Sequence, residues 1–224
     1  MPRVLHPPHD RPRLAAQPAP TMLSSMRTGT SWSAVTGGVQ VLDRLAIRLV
    51  AGQPRNPNLD RVISALTDLG KGPAWAAFGL TGIALNRNGA PNALVGVLLA
   101  WVASFAVERW IKTRVHRERP RYPGRSDRSQ EDPTDRWSFP SGHALGAFGC
   151  AVAMAGVYPR ATPVLLSAAT AVAGARVYLR LHFPSDCLAG AAMGTGLGLL
   201  IGHLVRPSRR SRATKVDPAQ AALS

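Results

Sequence analysis

The sequence predicts an all-α, integral-membrane helical bundle of about five to six helices, with an N-terminal amphipathic helix at the interface. Three observations carry that expectation. Apolar residues fall in long blocks, while Arg and Pro collect at the chain ends and in one central loop. The 224 residues include 27 Lys+Arg against 12 Asp+Glu, a net charge of +15, which calls for an anionic partner such as a lipid surface, a phosphate ester or nucleic acid. Gly190, Gly194, Gly198 and Gly202 stand four apart in the last block, the spacing that lets helices approach closely.

Residues 1–38 are rich in Pro, Arg, Ser and Thr and read as a disordered basic tail without a secretory signal. His6 and His9 read as solvated. From Val39 to Val50, Val39, Leu42, Leu45, Ala46, Leu49 and Val50 recur at helical period, with Gln40, Asp43, Arg44 and Arg48 filling the other face. Such a stripe suits a helix lying along a membrane surface. Leu59–Gly70 repeats the pattern. Five apolar blocks then read as spans: Pro73–Leu85, Pro91–Ile111, His143–Val157, Thr162–Tyr178 and Pro184–Val205. Several are shorter than the roughly 20 residues of a perpendicular span, and the first and weakest is allowed a start as far back as Thr67. Residues 206–224 form a second basic, disordered tail, which leaves 39–205 as one membrane domain. Cys150 and Cys187 lie inside apolar blocks and read as small buried hydrophobes. The glycine stripe reads as a helix-packing face, a feature of assembly that says nothing of chemistry.

Five spans put the long Ile111–Pro140 loop and the Tyr178–Pro184 turn on the same side. Three polar clusters meet there: "KTRVHRERP" (Lys112–Pro120), "FPSGH" (Phe139–His143) and "RVYLRLHFPSD" (Arg176–Asp186). Lys112, Arg119 and Arg176 supply fixed positive charge, and guanidinium forks match phosphate oxygens. Ser141 and Gly142 open the third span, where free backbone N–H groups hold an anion. Phosphoryl transfer needs positioning and charge neutralisation, which these groups provide without a metal. It also needs an attacking group and a proton for the leaving oxygen. Asp186 follows His182 by four residues and is placed to support its imidazole, which makes His182 the nucleophile and His143 the acid. No metal-ligand spacing is present.

Lys112, six residues, Arg119-Pro120; then Pro140-Ser141-Gly142-His143; then Arg176, five residues, His182, three residues, Asp186: this pattern strongly resembles the type 2 phosphatidic acid phosphatase (PAP2) superfamily over about Leu59–Val205. One departure is Ala175-Arg176 where the third motif usually opens Ser-Arg. The resemblance implies a multi-pass cell-membrane lipid-phosphate phosphatase that needs no cofactor. His182 would attack phosphorus to give a phosphohistidine, Asp186 would hold His182, and His143 would protonate the leaving group. Lys112, Arg119, Ser141, Gly142 and Arg176 would bind the phosphate. The expected partners are a lipid phosphate and membrane lipids, with polyprenyl pyrophosphate ranked first, phosphatidate-type lipids next, and no nucleic acid. The alternative is a non-catalytic basic membrane protein that binds anionic lipid or nucleic acid. Electrostatic binding needs charge but no fixed pattern, so that alternative leaves the motif spacing unexplained.

Overall fold

A computed structural model describes residues 37–54, 56–85, 87–120 and 136–206. Nearly all of the two expected tails, with His6 and His9, lies outside the described residues. The chain divides into Met1–Gly37 and Gly38–Ser224, and the packing below lies within the second unit. Its helices are α1 (Gly37–Ala51), α2 (Pro57–Thr67), α3 (Gly72–Ala84), α4 (Ala90–Val115), α5 (Gly142–Val157), α6 (Thr162–Tyr178) and α7 (Pro184–Val205). Seven helices among the described residues exceed the expected five to six. The two amphipathic stretches ahead of the apolar blocks form separate helices.

Local chemistry explains the boundaries. Asn56 caps α2, its side chain accepting from the N–H groups of Asn58 at 3.0 Å and Leu59 at 3.2 Å. The allowed continuation from Thr67 into the first apolar block does not form, because a 3₁₀ turn, Asp68–Gly70, separates α2 from α3. Gly70 is pressed so close to α5 and α6 that a Cβ would meet Val172 at 2.8 Å and His143 at 3.1 Å. Pro73 then sits in the first turn of α3, where its missing N–H costs nothing. α4 runs four residues beyond its expected end, carrying Lys112 and Arg114 on its last turn. It stops where His116 enters the left-handed region at φ 49. α6 stops similarly, with Arg180 at φ 61.

α5 is the hub, packed against α4, α6 and α7. Its small residues allow this: Ala147, Cys150, Ala151 and Ala153 are buried against Val97 and Ala100 of α4 and Val172 of α6. Both cysteines are buried and free, as small hydrophobes should be. The glycine stripe of α7 faces α5 of the same chain. A Cβ at Gly198 would meet the Gly149 carbonyl and Val152 Cβ, each at 2.7 Å. Large apolar side chains point outward instead: Leu99, Val102 and Phe105 on α4, Val164 on α6, and Leu188, Leu199 and Leu204 on α7. An outer surface of this kind, with α4 and α7 long and apolar enough to cross a bilayer, suits hydrocarbon as solvent and makes the protein membrane-associated.

α1 departs from expectation at one residue. Leu42, Leu45 and Leu49 are exposed, as an interfacial face requires, but Asp43 is 1% exposed rather than on a solvated polar face. A carboxylate is buried only when paired, and Asp43 is paired with Arg117 and Ser185.

Candidate active site

The ends of the central loop tie the first cluster to the second, and the second is tied in turn to the third. Glu118 and Trp137 form an antiparallel bridge. The Ser138 N–H donates to the Arg117 carbonyl at 2.7 Å, and Ser138 Oγ donates to the carbonyls of Arg117 and Glu118 at 3.2 and 3.1 Å. The Ser141 N–H donates to the Asp186 carbonyl at 3.0 Å, which ties the start of α5 to the start of α7. Ser141 also caps α5, its Oγ accepting from the Ala144 N–H at 3.5 Å.

Near these ties lies a cavity of about 220 Å³ lined by Phe105, Glu108, Arg109, Lys112, Gly142, His143, Arg176 and His182. Five of the eight residues predicted for the site therefore share one cavity, both imidazoles among them. Of the other three, Arg119 touches His182 directly, while Ser141 and Asp186 are fully buried at the adjoining helix starts. The three predicted cationic side chains come from three elements: Lys112 from the last turn of α4, Arg119 from the loop after it, and Arg176 from the last turn of α6. All three are buried. Ala175, the departure from the usual motif, is buried beside Arg176.

His182 is held on both ring nitrogens. Nδ1 lies 2.8 Å from the Ser138 carbonyl, an oxygen that only accepts, so Nδ1 carries the proton and Nε2 the lone pair. Arg119 Nη1 donates to the Leu181 carbonyl at 2.7 Å and to Nε2 at 3.2 Å. Burial pushes the imidazole pKa down from 6.5 to about 4; Asp186 opposes the shift and the charges of Arg119 and Arg176 reinforce it. The ring is neutral at neutral pH, the state that can attack.

Asp186 is placed differently from the simple triad picture. Its Oδ2 is 3.7 Å from His182 Nδ1, longer than a hydrogen bond, and it accepts from the Phe183 N–H at 3.0 Å. Its Oδ1 takes Arg117 Nη1 at 2.6 Å. Asp186 thus faces the imidazole as a charge, and a backbone carbonyl sets the tautomer. Arg117, Ser138, Asp43 and Ser185 were not picked out by spacing. The available signal was a lone acid in a basic amphipathic helix and a third arginine inside "KTRVHRERP". Glu108 pairs with Lys112 at 2.7 Å, one helical turn away on α4. The Glu108 carboxylate occupies the place that a Cβ at Gly142 would take, so a side chain there would push the end of Glu108 aside.

An all-helical membrane-associated fold with a cationic cavity holding two histidines defines a class of phosphate-handling proteins, and comparison with known proteins agrees. The PAP2 superfamily model matches residues 75–210, and the chain belongs to that superfamily. It is a PAP2-type phosphatase. It is 32% identical over 139 residues to decaprenylphosphoryl-5-phosphoribose phosphatase of Mycobacterium tuberculosis, covering 62% of this chain and 75% of that protein. Its fold is similar to that of a transmembrane PAP2-type phosphatidylglycerolphosphate phosphatase from Bacillus subtilis (TM-score 0.59, 23% identity, 75% of this chain and 87% of that one). It is also similar to Aquifex aeolicus LpxE (TM-score 0.51, 22% identity, 70% and 93%).

Proposed function

We propose that this chain is a multi-pass cell-membrane phosphatase that hydrolyses a lipid-linked phosphomonoester or diphosphate through a phosphohistidine on His182. One observation carries the reading: His143, His182, Lys112, Arg176 and Gly142 line a single cavity whose wall includes the outward-facing Phe105. Phosphate enters the charged end, and the lipid tail stays with the apolar surface around α4. The domain is 39–205, with α1 at the membrane surface through Leu42, Leu45 and Leu49 and basic tails on either side.

The lone pair on Nε2 attacks phosphorus, forming the P–N bond as the bond to the leaving oxygen breaks, and His143 gives that oxygen its proton. Arg119, already beside Nε2, passes to the phosphoryl oxygens together with Lys112 and Arg176. Asp186 offsets the positive charge that develops on the ring. Water then attacks phosphorus, the P–N bond breaks, and His143 takes the proton from the water. Ser141 holds the start of α5 in register, and Gly142 presents its backbone to the cavity.

A polyprenyl phosphate is the favoured substrate class. Polyprenyl pyrophosphate ranks first from the resemblance to small five-span members of the family, and the name of the mycobacterial relative brings a phosphorylated polyprenyl sugar level with it; phosphatidate-type lipids follow. Orthophosphate release by purified protein, measured with EDTA present across these lipids, tests the reading. His182→Ala is expected to reduce turnover by roughly 10³-fold or more. Full turnover in that variant would overturn it.

A further inference from the structure

Asp43 is the one acidic residue of α1, and it is 1% exposed. Three donors hold it. Arg117 Nη2 approaches Oδ2 at 2.6 Å, Ser185 Oγ donates to Oδ2 at 2.5 Å, and the Ser185 N–H donates to Oδ1 at 3.1 Å. The other guanidinium nitrogen, Arg117 Nη1, donates to Asp186 Oδ1 at 2.6 Å and to Ser185 Oγ at 2.7 Å. The Arg117 guanidinium also stacks on the Phe183 ring at 4.1 Å. A continuous path therefore runs from α1 through Arg117 and Ser185 to the carboxylate that faces His182.

A helix that merely rests on the bundle has no need of this. Replacing a buried ion pair by apolar packing is commonly neutral or stabilising, so the carboxylate calls for another account. Charge supplies it. Asp186 and Arg117 alone sum to zero beneath His182, whereas with Asp43 the trio carries one net negative charge. On the other side of the ring stand Arg119 and Arg176, with the Lys112–Glu108 ion pair and Arg109 also in the cavity wall. Positive charge develops on the ring as phosphorus is attacked, and a neutral pair beneath it offsets little of that charge.

Resting on the reading of His182 as nucleophile, we propose that Asp43 is a positioning residue for phosphoryl transfer, acting through Arg117 and Ser185 to set the place and net charge of Asp186. α1 is then part of the enzyme's working machinery as well as its surface helix. The path also gives the site a direct mechanical link to the helix that meets the lipid.

The test is steady-state kinetics of the purified full chain on a short polyprenyl diphosphate, with thermal unfolding measured alongside. Asp43→Asn keeps the size and removes the charge. It is expected to lower kcat by about 10- to 100-fold with KM within about twofold. Because Asp43 acts through Asp186, adding Asp43→Asn to Asp186→Asn is expected to cost less than about twofold more. Wild-type kcat in Asp43→Asn, a loss confined to KM, or an undiminished penalty in the Asp186→Asn background would each overturn the proposal. If Asp43→Asn does not fold, Ser185→Ala keeps both ion pairs and removes one donor; a kcat about threefold lower at unchanged KM supports the path, and an unchanged kcat overturns it. His182→Ala with full turnover would overturn both the site reading and this inference, whereas an inactive His182→Ala beside a wild-type-like Asp43→Asn overturns this inference alone.

Discussion

Two contacts converge on the first turns of α7, and they are built from opposite materials. Along the α5–α7 seam, backbone meets backbone: a Cβ at Gly190 would meet the Ser141 carbonyl at 2.5 Å, and one at Gly194 would run into the Leu145 carbonyl. In the clamp above it, the side chains of Asp43, Arg117, Ser185 and Asp186 exchange charge-assisted hydrogen bonds. The seam sets how far His143, on α5, stands from the turn that carries His182. The clamp sets the charge under His182. Distance is therefore fixed by contacts that tolerate no added atom, and charge by contacts that tolerate no lost one.

Breaking the seam should have the largest effect. Gly194→Val puts a branched side chain against a backbone carbonyl that cannot move aside, and little folded protein is expected; yield and thermal unfolding in detergent measure it. Next comes the clamp. Arg117→Gln leaves two carboxylates close together without their cation and should cost about 3 kcal/mol, read from the same unfolding curves.

A smaller effect concerns pH. The His182 pKa lies at about 4 instead of 6.5, so neutral imidazole persists through mildly acidic conditions. After correction for the substrate's own ionisation, the fall in kcat/KM caused by protonating His182 should set in only near pH 4, whereas an ordinary histidine nucleophile would already have cut it roughly 30-fold at pH 5. The sign for stability is the reverse of a paired histidine's. The unfolded ring takes its proton first, so the folded state loses stability as pH falls from 6.5 toward about 4. The smallest effect sharpens the comparison: Gly196 lies off the seam with nothing within 4 Å, and Gly196→Ala should leave the protein unchanged or stabilise it by up to about 1 kcal/mol.

The contrast also explains what could be read from the chain. Helix positions for α3 to α7 followed from apolar block length, and the seam from glycine period, because both signals are local. The meeting of Lys112, Gly142, His143, Arg176 and His182 in one cavity was legible from the span count and the three motifs together. Asp43 and Ser185 are 142 positions apart, and nothing near either residue announces the other. A helical-wheel reading puts Asp43 with the solvated residues; its burial is offset by Arg117 and Ser185, which lie far away in the sequence. Ser138 escaped notice because its contribution is a carbonyl, which every residue has. The extra turn of α4 escaped because Lys112 and Arg114 end the apolar run while remaining good helix formers.

The central claim is that the phosphoryl group rests on His182. Rapid mixing of enzyme with ³²P-labelled polyprenyl diphosphate, quenched in base, tests it most directly. The account predicts a base-stable, acid-labile phosphoenzyme in the wild type that is lost in His182→Ala. Labelled phosphoenzyme of the same lability in that variant, or turnover of the wild type with no phosphoenzyme at any quench time, would contradict it.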